Sequence, residues 1–151
     1  MVDIETKPLF TMQVRGALQP LGMTHGAERR VVAITECTIQ GDRVKGKVLP
    51  GGSDWLTFEP DGAQLLDCRM VLQTEDNALI GITYRGLRHG PPEEMAKQSR
   101  GEAFDTNAFY HRVALQFDTD AAQYKWMNRI LAIGKARRLA VGAVYEVFEI
   151  L

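Results

Sequence analysis

Gln64-Leu65-Leu66-Asp67-Cys68-Arg69-Met70-Val71-Leu72-Gln73, followed after the polar Thr74-Glu75-Asp76-Asn77 by Ala78 to Leu87, is the stretch that decides the fold. Two strand-length runs joined by four turn-forming residues read as an antiparallel pair. Working outward toward the N-terminus, Phe10 to Arg15 alternates apolar and polar residues with the period of a half-buried strand. Arg30 to Thr35 is rich in β-branched residues and continues toward Thr38-Ile39, and Gly41-Asp42 reads as a turn into Arg43 to Val48. Pro50-Gly51-Gly52-Ser53 breaks the pattern, Trp55 to Phe58 resumes it, and Pro60-Asp61-Gly62 is a further turn. Toward the C-terminus, Phe109 to Phe117, Asn128 to Ala136 and Leu139 to Glu149 read as strands. Between the first two of these, Asp118-Thr119-Asp120 supplies capping chemistry for one short helix near residues 119–126. About 8–10 short strands with almost no helix predict an all-β, antiparallel fold, and the periodicity suits a closed barrel and a sandwich alike.

The 151 residues suit a single domain, residues 1–151, with an N-terminal tail over 1–7 and a long polar loop over 88–107. Eighteen basic against nineteen acidic residues leave no global field to draw in nucleic acid or an anionic membrane. No apolar run approaches the ~18 residues of a membrane-spanning helix. The acidic Met1 to Thr6 start does not resemble a secretory signal, and Cys37 and Cys68 read as reduced thiols, so cytoplasm is the expected compartment. The Gly51-Gly52 pair lacks the spacing of a phosphate-cradling loop. His25, His89 and His111 are scattered, with no paired ligand spacing, so neither metal nor cofactor is expected. Gly52-Ser53-Asp54 does not match a nucleophile elbow.

Several segments read together are more specific. They are Val48-Leu49-Pro50-Gly51-Gly52-Ser53-Asp54-Trp55, Asp61-Gly62, Leu66-Asp67-Cys68-Arg69, Tyr84-Arg85-Gly86, Phe109-Tyr110 and Tyr124-Lys125-Trp126-Met127-Asn128-Arg129. In that order and spacing, from about Leu21 to Ile150, the chain resembles the domain of unknown function 3237 family, also called uncharacterised protein family 0311. Ser53 and Cys68 stand where the resemblance leads one to expect a small residue such as alanine. The resemblance implies a compact antiparallel β-barrel, often a homodimer, and implies no particular reaction.

Candidate site residues follow from strand parity and from these motifs. Asp67 and Arg69, two apart on one strand, share a face. They are either a solvated surface pair or, turned inward, a base held by a guanidinium. Asp54 is either a turn carboxylate or a group at the barrel mouth, and Trp55 either core or a stacking wall. Asp54 and Asp67 would do acid/base work together only if close in space. Arg85 or Arg112, inside a cavity, suits a bidentate grip on a carboxylate or enolate, and facing outward either is simply solvated. Tyr84 and Tyr110 flank the long loop, which would serve as a lid. His111 shares a face with Phe109, Val113 and Leu115 and reads as a core histidine. Trp126 reads as a plug closing the barrel end, and Asn128 either binds a ligand or fixes a turn.

The expectation is therefore a barrel enclosing a small-molecule ligand, with catalytic Asp67, Arg69 and Asp54 and with Trp55, Tyr84, Arg85, Tyr110, Trp126 and Asn128 lining the pocket. The chemistry these residues favour is cofactor-independent isomerisation, elimination or hydration of a small organic anion or carbonyl compound. The alternatives are a non-catalytic carrier barrel and a structural homo-oligomer.

Overall fold

The computed structural model describes residues 1–151. Nine antiparallel strands form one sheet: β1 (Thr6–Thr24), β2 (Ala27–Gln40), β3 (Lys45–Val48), β4 (Ser53–Phe58), β5 (Gln64–Thr74), β6 (Leu79–His89), β7 (Tyr110–Asp118), β8 (Ala132–Arg138) and β9 (Ala143–Ile150). From β1 the pairing runs to β9, β8, β7, β6 and β5. β5 then pairs with β3 near one end and β4 near the other, both of these pair with β2, and β2 returns to β1. The circuit is closed, so the predicted barrel is what forms, and closure removes most of the strand edges that would invite aggregation.

One edge survives. β1 pairs with β9 only from Thr6 to Val14, and from Gly16 to Thr24 it has β2 alone as partner. The sequence pattern stops at Arg15 because Gly16, Pro20 and Gly22 look like breakers. The strand instead runs for 19 residues. Register shifts at Arg15/Gly16 and Pro20/Gly22 absorb the awkward residues, as bulges on an edge do.

Alternation places the core. On β5, Leu66, Cys68, Met70, Leu72 and Thr74 are buried, while Leu65, Arg69, Val71 and Gln73 are exposed. The apolar core is one cluster of 24 residues drawn from every strand except β3. It includes Cys37 and Cys68, which are both unbonded and buried. Burial lifts the Cys37 thiol to about 12 and pushes Cys68 further up.

The two barrel ends are closed differently. At one end a 3-10 helix over Ala122–Arg129 drives Met127 into the core, with Tyr124 and Trp126 packed beside it. This replaces the helix expected near 119–126: Thr119 and Asp120 belong to the preceding turn, and Asn128 and Arg129 belong to the helix rather than to β8. Leu139 to Gly142 likewise form the turn before β9. At the other end the segment expected as a polar loop carries α1 (Pro92–Ser99), started by Pro92 with Glu93 and Glu94 in its first turn. Eight residues are too few to hold a helix unaided. Gln98 anchors it by accepting a hydrogen bond from Arg88 at 2.5 Å. No helix of the chain is long and apolar enough to cross a membrane.

Candidate functional site: polar groups on the inner wall

The parity that builds the core also decides which polar side chains enter it. Burying Leu66, Cys68, Met70 and Leu72 forces Asp67 and Arg69 to the outer wall, so the expected inward pair is corrected. The Asp67 side chain is 48% exposed, and it faces Arg85, itself 76% exposed, at 3.6 Å. Arg69 borders an outer cleft of about 330 Å³ with the Pro50–Gly52 turn and Thr83. Trp55 is also outward, its indole N–H donating to Ser53 Oγ at 3.2 Å. Tyr110 is exposed and stacked on His89 at 5.1 Å. Trp126 sits at the far end, under the Arg43 guanidinium at 4.5 Å. Asn128 closes a turn there, accepting from Thr119 N–H and donating to Thr119 O, each at 2.8 Å. Five of these residues therefore face outward, while at the far end Trp126 packs against the core and Asn128 fixes a turn, both away from the α1 end.

Asp54 and Tyr84 are the expected residues that do point inward. Gly52 starts this placement, because a side chain there would collide with Met70 Cβ, so the turn presses on β5 and delivers Asp54 opposite Cys68. Asp54 Oδ1 accepts from the Asp67 backbone N–H at 3.1 Å, and Oδ2 accepts from the Tyr84 hydroxyl at 3.4 Å. The Tyr84 ring lies 5.7 Å from Tyr145, and Tyr145 lies 5.4 Å from His111. The Tyr145 hydroxyl is 3.4 Å from His111 Nε2. Opposite His111 in the register stands Arg88, only 2% exposed, its guanidinium 4.1 Å over the Phe109 ring. A continuous line of polar groups thus runs from Asp54 to Arg88 along the inner wall at the α1 end.

Burial sets the electrostatics of this line. It lifts the Asp54 carboxyl to about 6, against the two donors that pull it down. It drops His111 to about 3, helped by the positive charges of Arg88, Arg138 and Arg112, so the imidazole is neutral at pH 7. Both tyrosine hydroxyls are pushed up and stay protonated. Arg88 falls to about 10, first from burial and then from Arg138, and remains a cation at neutral pH. Three buried donors or acceptors here lack a partner: Arg88 Nε, Arg88 Nη2 and His111 Nδ1. Buried polar atoms are usually satisfied, so unpaired ones on one wall mark where a further group fits. The arrangement offers a carboxyl poised near neutrality, two neutral hydroxyls, a neutral imidazole and a cationic fork with free N–H groups.

Sequence parity had the means to find Arg88, which follows Tyr84 at the same inward positions of β6. Tyr145 and Arg138 carry no local motif. His111, expected as a hydrogen-bonded core histidine, is buried with the Tyr145 hydroxyl beside its Nε2.

Comparison with known proteins agrees with the fold. The family model described as "Protein of unknown function (DUF3237)" matches residues 4–150. A UPF0311 protein of Rhodopseudomonas palustris is 32% identical over 149 residues, covering 98% of this chain and 97% of its own. One from Clostridium acetobutylicum is 34% identical over 122 residues, covering 81% and 77%. Among solved structures, a conserved protein of unknown function from Rhodopseudomonas palustris superposes with TM-score 0.93 at 31% identity over both whole chains. A β-barrel-like protein from Acinetobacter baumannii gives 0.86 at 30%, covering 100% of this chain and 98% of its own. A protein from Penicillium herquei described as an enzyme gives 0.75 at 22% identity, a likeness of fold alone. The barrel, the motif order and these matches agree: the chain belongs to the DUF3237 family.

Proposed function

We propose that the α1 end of the barrel is a binding chamber for a small organic anion or carbonyl compound, and that it carries out cofactor-independent acid/base chemistry. The observation that carries this reading is the inner polar line from Asp54 through Tyr84 and Tyr145 to His111, ending on the unpaired N–H groups of Arg88. Asp54 is the proton acceptor, because a carboxyl near 6 exchanges protons efficiently at neutral pH. Arg88 takes the place first expected of Arg85 and holds the anionic oxygen of the ligand or of the enolate that forms. Tyr84 and Tyr145 donate to developing negative charge. Each of these side chains is buried, so entry requires the segment carrying α1 to move away from Arg88, which gives that segment the role of a lid.

The test is proton exchange in D₂O for a panel of carbonyl compounds bearing an acidic C–H, followed by NMR with and without protein. Exchange above the buffer rate is expected for at least one compound, and Asp54→Asn should lower it by about 10²–10⁴-fold. Binding without exchange would favour the carrier reading, and no binding by any of the panel would end the chamber reading.

We infer further that the chain forms a homodimer in the cytoplasm. The unpaired edge of β1 over Gly16–Thr24, with Leu18, Leu21 and Met23 exposed, supports pairing with a second copy. The free thiols support a reducing compartment. Sedimentation equilibrium of the chain tests the dimer directly, a monomer being the contrary result.

A further inference from the structure

β7 and β8 are hydrogen-bonded only from Arg112–Leu115 to Ala132–Lys135. Beyond Lys135, β8 continues to Arg138 with β9 alone, and toward its start β7 continues to Tyr110 with β6 alone. The wall therefore splits beside His111. A cleft of about 240 Å³ opens there under the 3-10 turn Thr106–Ala108. Thr106, Asn107, Arg112, Lys135, Arg137 and Glu146 line it.

Three cations face one carboxylate, and none of the four charged groups belongs to an ion pair within 4.0 Å. Arg112 is held in place by its stacking on Tyr110 at 4.6 Å and by Nη1 donating to His111 O at 3.0 Å, which leaves its other N–H groups available. The turn above is fixed by Asp105 Oδ1 accepting the Asn107 backbone N–H at 2.9 Å, and the Asn107 side chain remains at the cleft. Buried Phe109 and Ala136 give the cleft an apolar floor.

We propose that this cleft binds the phosphoryl group of a small phosphate monoester. A net charge of two positive units matches the −1.5 to −2 of a monoester near pH 7, whereas a single carboxylate would leave one cation uncompensated. Arginine forks suit the paired oxygens of such a group. The cleft, about 240 Å³, has room for a phosphate and a few further atoms. The apolar floor takes the organic remainder. This site lies outside the chamber and stands whether or not the chamber is catalytic.

The experiment is an amide NMR titration at constant ionic strength with inorganic phosphate and with phenyl phosphate. Saturable shifts are expected at Asn107, Arg112, Lys135 and Arg137, with phenyl phosphate the tighter of the two. The double variant Lys135→Gln/Arg137→Gln, changing two exposed side chains, should weaken binding at least about tenfold. Arg69→Gln, at a different outer cleft, should leave it unchanged. Shifts that stay linear to about 20 mM, a millimolar limit of weak binding, or equal weakening in both variants, would overturn the proposal.

Discussion

Asp54 and His111 bind protons in opposite senses as the chain folds. His111 stays neutral in the folded barrel down to about 3 but takes up a proton near 6.5 when unfolded. Its contribution to stability is present above pH 6.5 and is lost as pH falls toward 3. Asp54 is the reverse: its folded value of about 6 exceeds the ordinary 3.8, so its contribution is present below 3.8 and lost as pH rises through 6. Between these limits each slope is ~1.4 kcal/mol per pH unit, and the two cancel. The wild-type chain should therefore show a flat stability profile from about pH 6 to 4. Asp54→Asn should lose stability steadily below pH 6.5, and His111→Gln should gain ~3 kcal/mol on the same descent. Urea unfolding across this range checks both, and two flat profiles would refute the pairing. On the outer wall, Asp67→Asn and Arg69→Gln should each change stability by less than ~0.5 kcal/mol in the same assay, since exposed charges contribute little.

At the scale of elements, two features can be probed separately. Gly142 closes the β8–β9 turn at φ 78°, and a side chain there would meet the backbone carbonyl of Val14. Gly142→Ala should cost ~1–3 kcal/mol in thermal or chemical unfolding, because both the dihedral and the close approach to β1 disfavour a Cβ. The α1 segment rests on the Gln98–Arg88 hydrogen bond, while the Glu94 side chain bonds only to Lys97 and Asp105 within the segment itself. Gln98→Ala should speed hydrogen exchange at the Met95 and Arg100 amides and leave the β5 and β6 amides unchanged. Strands such as β5 and β6 are plain in the sequence because every second residue is apolar and the turn between them is polar. The outer half of β1 is not, because an edge strand tolerates Gly16, Pro20 and Gly22 that a central strand would reject. The candidate site was legible only in part for a related reason. Parity tells which residues share a face, but Asp67 and Arg69 look as chemically apt as Asp54 until the apolar set on β5 is seen to fill the inside. Tyr145 and Arg88 come together from distant strands, and no local pattern records that meeting.

For the molecule as a whole, β1 must find β9, so closure joins residues about as far apart along the chain as it allows, Thr6 opposite Ile150. Barrels of such non-local pairing assemble slowly and open cooperatively. Both cysteine thiols lie within that closed wall, at Cys37 on β2 and Cys68 on β5, with their thiolate forms suppressed. An alkylating reagent then meets Cys37 only when the staves separate, and Cys68 then or when the α1 end opens. Mass-spectrometric counting of adducts over time should show Cys37 modified at the rate of global unfolding, and Cys68, opposite Asp54, modified no later than Cys37 and ahead of it when the α1 segment opens. Modification of Cys37 ahead of Cys68 would instead report a local breach in the wall. The pair works as a native clock of opening, needing no added label.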